Sequence, residues 1–392
     1  MTLAIDGGTP LRSRPFTPWP PKPTAEQRSA LLDVLDSGAW GSTAGTRVQD
    51  FAAQFAERHE ARYGIPVSNG TLGLLAALRA VGVRRDDEVI IPPFTFVATA
   101  SSVLLAGAVP VFADVDPETM MLDPEAVAAC VTDRTKAVVP VHLAGGAADI
   151  DAIRAAIPDR VRIVEDAAQA HGAALRGRTI GAIGDIGSFS FQSSKNMTAG
   201  EGGMLVTNDE DCYRAAWSAA NVGRAPGGGW YEHPAVGWNL RLTEFQAALL
   251  TDQLGRLDEL NARRDHGARV LAKRLADEVE GIRVLLDPDG TTTHARHLAL
   301  LRFDPAAFGG VDKGRLAALA GAEGIPLSSG YPLLHKDAAI RAEAARIVDT
   351  ECPVAESAGP LTVWLPQTVL LSAEEDLADV VAVFVKIQRA LT

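Results

Sequence analysis

A lysine and an aspartate in this chain are placed where they could do chemistry on a carbonyl compound. Lys195 follows the apolar run GSFSFQ and precedes three glycines, Gly200, Gly202 and Gly203. A lysine carried into a cleft loses proton affinity and can form an imine, and glycines allow the backbone to approach a ligand closely. Asp166, 29 residues before the lysine, lies near the end of the apolar run VRIVEDA. A carboxylate that leaves a buried strand needs a cationic partner, and a protonated pyridine nitrogen would be one.

Two more features suit a flat ring that carries a phosphate. The tetrapeptide SNGT, residues 68–71, opens a predicted helix, and the unpaired N–H groups of a helix start favour a phosphate. Phe94 and Phe96 follow another apolar run, and one of them could stack on a ring. Taken singly, these features are also typical of a helix cap, core aromatic side chains, a loop aspartate and a surface lysine. Together they predict a site for pyridoxal 5′-phosphate.

Alternating strands and helices are expected to position these residues. From about residue 63 to 208, apolar β-rich runs separated by helical patterns predict a largely parallel α/β sheet, and ligands bind at the carboxyl ends of such strands. The proline-rich residues 1–24 predict an extended arm. Residues 243–275 keep helical periodicity throughout and predict one long connecting helix. We therefore expect the arm, a large domain over 25–260 and a smaller α+β domain over 261–392.

Composition and charge exclude several functional classes. The chain has 392 residues and a formal net charge of −12, without a basic run, so nucleic acid and anionic membranes are poor partners. No segment approaches the ~20 apolar residues of a membrane span. Three cysteines, Cys130, Cys212 and Cys352, lie far apart in the sequence and indicate no disulfide framework. A cytoplasmic protein is expected.

Other catalytic patterns match poorly. The segment GAIGDIG, residues 181–187, lacks the G-x-G-x-x-G spacing and the strand-to-helix setting of a dinucleotide site. The segment HARH, residues 294–297, offers two histidines without an evident third ligand, so we expect structural histidines and no metal site. No serine stands in a G-x-S-x-G motif, which disfavours a serine hydrolase.

Longer stretches of the chain resemble the DegT/DnrJ/EryC1/StrS aminotransferases, which are fold-type I pyridoxal phosphate enzymes. The resemblance is carried by SNGT, FTFVATA, DVDPETMMLDPEAV, VPVHLAG, VEDAAQAHGA, GDIGSFSFQSSKNMTAGEGGMLVTND, GWNLRLTEFQAALL and ECPVAE. It implies an α/β fold with a large, mostly parallel seven-stranded sheet domain and a smaller α+β C-terminal domain.

The resemblance also implies roles for single residues around the ring of the cofactor. Lys195 is similar to the lysine that forms a Schiff base with the cofactor, and Asp166 to the partner of the pyridine nitrogen. Gln169 matches a residue near the phenolic oxygen, and Phe96 matches the aromatic residue that stacks on the ring. Lys195 would also shuttle a proton during catalysis. Relatives that dehydrate deoxysugars have histidine at this position, whereas this chain keeps the lysine.

For the phosphate of the cofactor, the resemblance implies both local residues and a second subunit. Gly70, Thr71 and Ser190 match the family's phosphate site. Asn239, in GWNLRLTEF, matches an asparagine that reaches the phosphate of the other subunit. A homodimer with shared active sites is therefore implied. Arg241 is a candidate for binding the carboxylate of the amino donor only because it lies near Asn239 in the sequence.

The implied reaction is transfer of an amino group from glutamine or glutamate to a ketone. The stretches FQSSKNMTAGEGG and TVWLPQTVLLSAEEDL resemble the branch that aminates keto-cyclitols or makes 3-amino-5-hydroxybenzoate, which favours a carbocyclic ketone in antibiotic biosynthesis. A nucleotide-linked keto sugar, a dehydratase or aromatase reaction and a sensor without turnover remain alternatives. Tyr331 and His335, in GIPLSSGYPLLHK, could contact a polyol or serve packing.

Overall fold

The computed structural model describes residues 2–285, 287–344, 346, 348 and 350–392. Its strands, in chain order, are β1 (Tyr63–Val67), β2 (Glu88–Ile91), β3 (Val109–Phe112), β4 (Thr135–Val138), β5 (Arg162–Asp166), β6 (Ala174–Leu175), β7 (Arg178–Thr179), β8 (Ile186–Ser190), β9 (Gly203–Thr207), β10 (Ile282–Val284), β11 (Thr291–Thr293), β12 (Leu298–Phe303) and β13 (Thr362–Pro366). Its α-helices are α1 (Ala25–Ser37), α2 (Arg47–Arg58), α3 (Gly70–Ala80), α4 (Ala98–Leu105), α5 (Pro124–Cys130), α6 (Ile150–Ala156), α7 (Glu210–Ala220), α8 (Glu244–Gly255), α9 (Leu257–Glu278), α10 (Lys313–Ala322), α11 (Ala338–Glu343), α12 (Pro353–Ala358), α13 (Gln367–Leu370) and α14 (Glu374–Leu391).

A seven-stranded sheet forms the centre of the larger part of the molecule. Its strand order is β1-β9-β8-β5-β4-β2-β3. The pairs from β8 to β3 are parallel, whereas β9 runs antiparallel to both β1 and β8. Strands β2, β3, β8 and β9 are buried along their whole length, as expected for a sheet covered by helices on both faces. The prediction of a mostly parallel seven-stranded sheet is confirmed.

Helix boundaries in the first half of the chain follow from local capping chemistry. Thr24 and Gln27 form a reciprocal capping box at the start of α1, and Gly38, with φ of 68°, ends this helix in the left-handed conformation that glycine adopts at low cost. Asp123 caps α5 ahead of Pro124. These residues set the end of α1 and the start of α5.

The prediction of one uninterrupted helix over residues 243–275 is wrong. Arg256, with φ of −105° and ψ of 0°, separates α8 from α9, and its N–H donates to the carbonyl of Gln253 instead of continuing the helical pattern. The break lets the chain change neighbours, since α8 packs against α1 and α2 whereas α9 packs against α13 and α14. Periodicity is helical on both sides of the break and so gave no sign of it.

A second apolar core lies in the C-terminal part of the chain. Leu271, Phe303 and Phe384 are among its fully buried members, and the antiparallel sheet β10-β12-β13 supplies one wall. Leu3, from the predicted arm, belongs to this core as well. Because α9 is continuous across residue 260, the boundary predicted at 260/261 falls inside one helix, and the division into domains stays a prediction.

In the part of the chain that the structure describes, none of the helices is both long and apolar enough to cross a lipid bilayer.

Candidate active site

A cavity of about 530 Å³ opens beside the carboxyl ends of the parallel strands β5 and β8. Seven of the eight predicted site residues line it: Gly70, Thr71, Phe96, Asp166, Gln169, Ser190 and Lys195. The carboxyl ends of neighbouring parallel strands meet at one edge of a sheet, which explains why residues far apart in the sequence converge here.

Lys195 lies in the loop between β8 and β9, with its backbone N–H donating to the carbonyl of Gln192 over 2.9 Å. Burial lowers the pKa of its ammonium group to about 8, and the nearby charge of Asp166 opposes this shift. An amine with this pKa is uncharged in a sizeable fraction of molecules just above neutral pH. It can therefore act as a nucleophile.

Asp166 ends β5 and lines the cavity. Thr99 Oγ1 donates to Asp166 Oδ2 over 2.9 Å, and the N–H of Ala168 donates to Oδ1 over 3.2 Å. Burial raises the pKa of this carboxyl, and these hydrogen bonds with the nearby Lys195 act in the opposite direction. A buried carboxylate held by one hydroxyl and one amide is suited to a cation supplied by a ligand.

The start of helix α3 lines the cavity beside the end of β8. Asn69 caps this helix, its Oδ1 accepting from the N–H of Leu72 over 2.9 Å. The first N–H groups of a helix, here those of Gly70 and Thr71, have no acceptor within the helix. A Cβ atom at Gly70 would lie 2.8 Å from Cβ of Ser190, so only glycine fits there. With the Ser190 hydroxyl beside it, this helix start suits an anion.

Gln169 and Tyr331 form a hydrogen-bonded pair on another wall. Gln169 Oε1 accepts from the N–H of Ala144 over 2.7 Å, and its Nε2 donates to the Tyr331 hydroxyl over 3.3 Å. Burial raises the pKa of Tyr331 to about 12, so the phenol stays neutral. Its ring centroid lies 6.2 Å from that of Phe96, which is 53% exposed. Tyr331, whose role the sequence left open, therefore belongs to the cavity.

Three other candidates lie elsewhere. Asn239 is exposed and lies outside the cavity, where its backbone forms an antiparallel β-bridge with that of Asn221. Arg241 lines a second cavity, where its Nη1 is buried without a hydrogen-bond acceptor among the described residues and burial lowers its pKa. His335 faces Glu356, with Nε2 and Oε1 3.1 Å apart.

Residues from the C-terminal part of the chain complete the cavity, and sequence reasoning missed them. His297, Trp364 and Gln367 line it. His297 Nδ1 lies 3.2 Å from Oδ1 of Asn196, the neighbour of Lys195. The sequence predicts structural roles for both HARH histidines and does not indicate that His297 lines the cavity. The available signal was the placement of His297 directly before β12 and of Gln367 directly after β13.

The other histidine of that motif, His294, lies outside the cavity near Asp287, with its ring Nε2 3.8 Å from the carboxylate Oδ1. Among the described residues, no cluster of three or more histidine, cysteine, aspartate or glutamate side chains is arranged to hold a metal ion.

Comparison with known proteins shows the family and the fold to which this chain belongs. Residues 21–385 match the family described as the DegT/DnrJ/EryC1/StrS aminotransferase family. The L-glutamine:2-deoxy-scyllo-inosose aminotransferase of Micromonospora echinospora is 40% identical over 412 residues, covering 98% of this chain and 97% of that protein. The crystal structure of 3-amino-5-hydroxybenzoic acid synthase has a TM-score of 0.88 and 34% identity, covering 97% and 100% of the two chains. DesI, solved in the presence of its TDP-sugar product, has a TM-score of 0.88 and 30% identity, covering 99% and 97%. This chain belongs to the DegT/DnrJ/EryC1/StrS aminotransferase family, and its fold is that of the fold-type I aminotransferases.

Proposed function

We propose that this protein is a pyridoxal 5′-phosphate-dependent aminotransferase that moves an amino group from glutamine or glutamate to a keto-cyclitol. It would act in the biosynthesis of an aminoglycoside-type metabolite. The observation that carries the proposal is the meeting of the ammonium group of Lys195 and the carboxylate of Asp166, both buried, in one cavity that is also lined by the start of helix α3. An amine, a buried anion and an anion-binding helix start are the three groups that the cofactor requires.

The cavity residues fit pyridoxal 5′-phosphate by their chemistry. Asp166 holds a buried carboxylate without a cationic hydrogen-bond partner among the described residues, which suits a protonated ring nitrogen. The N–H groups of Gly70 and Thr71 would hold the phosphate with Ser190, and Phe96 would lie against the ring face. When bound, this cofactor supplies an aldehyde that captures amines and a ring that withdraws electrons.

The chain's own residues would then handle protons and orient the reactants. Lys195 would attach the cofactor and afterwards, as a free amine, take the proton from the α-carbon of the amino donor. Asp166 would keep the ring nitrogen protonated. Gln169 and Tyr331, already hydrogen-bonded to each other, would orient the ring oxygen and the incoming ketone.

A homodimer with shared sites is part of the proposal. Lys195 is the only lysine or arginine among the described residues that line the cavity, although the proposed reaction requires both a phosphate and a donor carboxylate to bind there. Asn239 and Arg241 lie outside the cavity of their own chain. We infer that Asn239 of one subunit contributes to the phosphate site of the other, and that Arg241 beside it supplies positive charge.

Two observations favour a keto-cyclitol over a nucleotide-linked keto sugar. The Micromonospora echinospora relative, 40% identical, is named for glutamine and 2-deoxy-scyllo-inosose. A keto-cyclitol is an uncharged polyol, whereas a TDP-sugar brings two phosphates that need cationic partners. The described lining supplies one cation, Lys195, and the positive charge inferred from Arg241 of the other subunit would already serve the cofactor phosphate and the donor carboxylate, so the two phosphates of a TDP-sugar would lack cationic partners.

The test is a half-reaction followed by absorbance. Glutamine should bleach the visible band of the cofactor-loaded protein, and after removal of glutamine the band should return on adding 2-deoxy-scyllo-inosose. A TDP-linked keto sugar should restore it at least ten times more slowly. If only the TDP-sugar restores the band, the acceptor assignment is wrong. If no amino donor bleaches the band, the protein is a sensor that lacks turnover.

A further inference from the structure

Three consecutive residues of the lysine loop are held from outside the large sheet. The carbonyl of Ser194 accepts from Gln367 Nε2 over 2.7 Å, and the carbonyl of Lys195 accepts from Trp19 Nε1 over 3.0 Å. Asn196 Oδ1 lies 3.2 Å from His297 Nδ1. These partners come from helix α13, from the arm and from the residue directly before β12.

We propose that the arm, residues 2–24, contributes to cofactor binding at the active site. Trp19 and Gln367 are positioning residues that fix the main chain at Lys195, so that docking of the arm and loading of Lys195 are coupled. This inference rests on the proposed role of Lys195 as the cofactor-binding lysine.

Gln367 is itself oriented by an arginine in the interior. Arg264 is 0% exposed, and its Nε donates to Gln367 Oε1 over 2.8 Å. Because the guanidinium can only donate, the amide oxygen of Gln367 must face Arg264, and the amide nitrogen is left for Ser194. Asn261 accepts from Arg264 Nη1 over 2.9 Å and fixes the arginine in turn.

Trp19 is anchored from both sides. Its ring lies over the guanidinium of Arg264, with 5.2 Å between Cζ and the ring centroid. Two residues earlier, the N–H of Thr17 donates to Ser372 Oγ over 2.9 Å. The arm therefore contacts the turn after α13 at Thr17 and the lysine loop at Trp19. Arg264 serves both contacts with the lysine loop, since it touches Trp19 and Gln367 alike.

Docking of the arm and binding of the cofactor are coupled because both restrain the same residue. Trp19 binds the backbone carbonyl of Lys195, and the cofactor would bind the side chain of Lys195. Ordering of the Lys195 main chain by a bound cofactor keeps its carbonyl aligned with the Trp19 indole, and a docked indole restrains the lysine in return. Such linkage is reciprocal in free energy. One hydrogen bond of this kind changes affinity by about 2- to 10-fold.

The experiment is hydrogen–deuterium exchange of the full-length protein with and without pyridoxal 5′-phosphate, together with titration of the cofactor by absorbance. In the wild type, the cofactor should slow exchange in peptides covering residues 13–24 as well as in the lysine loop. Trp19→Phe keeps a ring over Arg264 but removes the indole N–H. It should weaken cofactor affinity by about 2- to 10-fold and abolish the protection of the arm while leaving that of the loop.

Trp40→Phe is the matched control, since the indole of Trp40 donates to the carbonyl of Leu35 at the surface. It should behave as the wild type. Gln367→Glu is the second variant, because it keeps an acceptor for Arg264 and removes the donor to Ser194; it should weaken affinity and speed exchange of residues 193–196 in the cofactor-free protein.

Wild-type affinity and arm protection in Trp19→Phe would overturn the inference, as would an arm whose exchange in the wild type ignores the cofactor. If Trp19→Phe fails to fold, Gln367→Glu decides, and unchanged affinity and loop exchange in that variant would also overturn the inference. Failure of the proposed function gives a different result, in which the wild type shows neither a visible band nor protection of the lysine loop.

Discussion

Lys195 and Asp166 illustrate how burial tunes two opposite charges in one cavity. Burial lowers the pKa of Lys195 to about 8 and raises the pKa of Asp166, and each side chain moderates the shift of the other. The ammonium group of Lys195 therefore loses its proton more easily, and the charged form of Asp166 would be stabilised by a further cation. Both shifts match what attachment of an aldehyde and protonation of a pyridine require.

The pKa of Lys195 leads to a pH prediction for the cofactor-free protein. Below pH about 8 the amine holds its proton, and above it the free amine reacts. The rate at which an amine-specific reagent labels Lys195, followed by peptide mass spectrometry, should therefore rise with a midpoint near pH 8. In Asp166→Asn the midpoint should move lower, because the charge that favours the ammonium is gone. A midpoint near the ~10.4 of an ordinary lysine would contradict the burial.

Asp166→Asn should also slow amino transfer. The variant keeps the shape of the side chain but loses the charge that would stabilise a protonated ring nitrogen, at a cost of about 3 kcal/mol or more in the barrier, which is roughly 100-fold in rate. Steady-state kcat with glutamine measures this. Thr99→Val, which removes only the hydroxyl that donates to Asp166, should have a smaller effect. A kcat close to that of the wild type in Asp166→Asn would place the cofactor nitrogen elsewhere.

Elements differed in how well the sequence predicted them. Strands buried on both faces and the polar residues that follow them have local signatures, so seven cavity residues could be predicted. His297 and Gln367 have no such signature, because only tertiary packing of the C-terminal part brings them beside Lys195. Arg256 interrupts a pattern that stays helical on both sides, which periodicity alone cannot detect.

At the level of elements, packing of the arm against the C-terminal part of the chain should depend on one buried ion pair. Lys386 Nζ lies 2.8 Å from Glu323 Oε2, and the carboxylate also accepts from the N–H groups of Ala4 and Leu11. Glu323→Gln would leave Lys386 buried without its countercharge and should lower the free energy of unfolding by about 3 kcal/mol, measured by urea denaturation.

The matched control for that prediction is Glu278→Gln. This change breaks the half-exposed pair of Glu278 with Arg274, and such surface pairs contribute less than about 0.5 kcal/mol. Equal effects of the two substitutions would show that the ion pair does not hold the arm.

On the scale of the whole molecule, the proposed dimer predicts complementation between two defective subunits. Lys195→Ala removes the lysine of its own site, and Asn239→Ala removes a residue that would serve the partner's site. In a mixed dimer, the Asn239→Ala subunit would keep Lys195 and receive an intact Asn239, so one of its two sites would be complete.

Equal mixing, followed by exchange of subunits, should therefore restore about one quarter of wild-type turnover, since half of the dimers are mixed. Each variant assayed alone gives the baseline. Activity that never exceeds the average of the two separate variants would argue that each subunit builds its site alone.

The account as a whole depends on covalent attachment of the cofactor at Lys195. The most direct measurement is to load the protein with pyridoxal 5′-phosphate, reduce it with borohydride and locate the added mass by peptide mass spectrometry. The mass should appear on Lys195 and be absent in a folded Lys195→Ala variant. A label that is found on another lysine, or that persists in Lys195→Ala, would contradict the account.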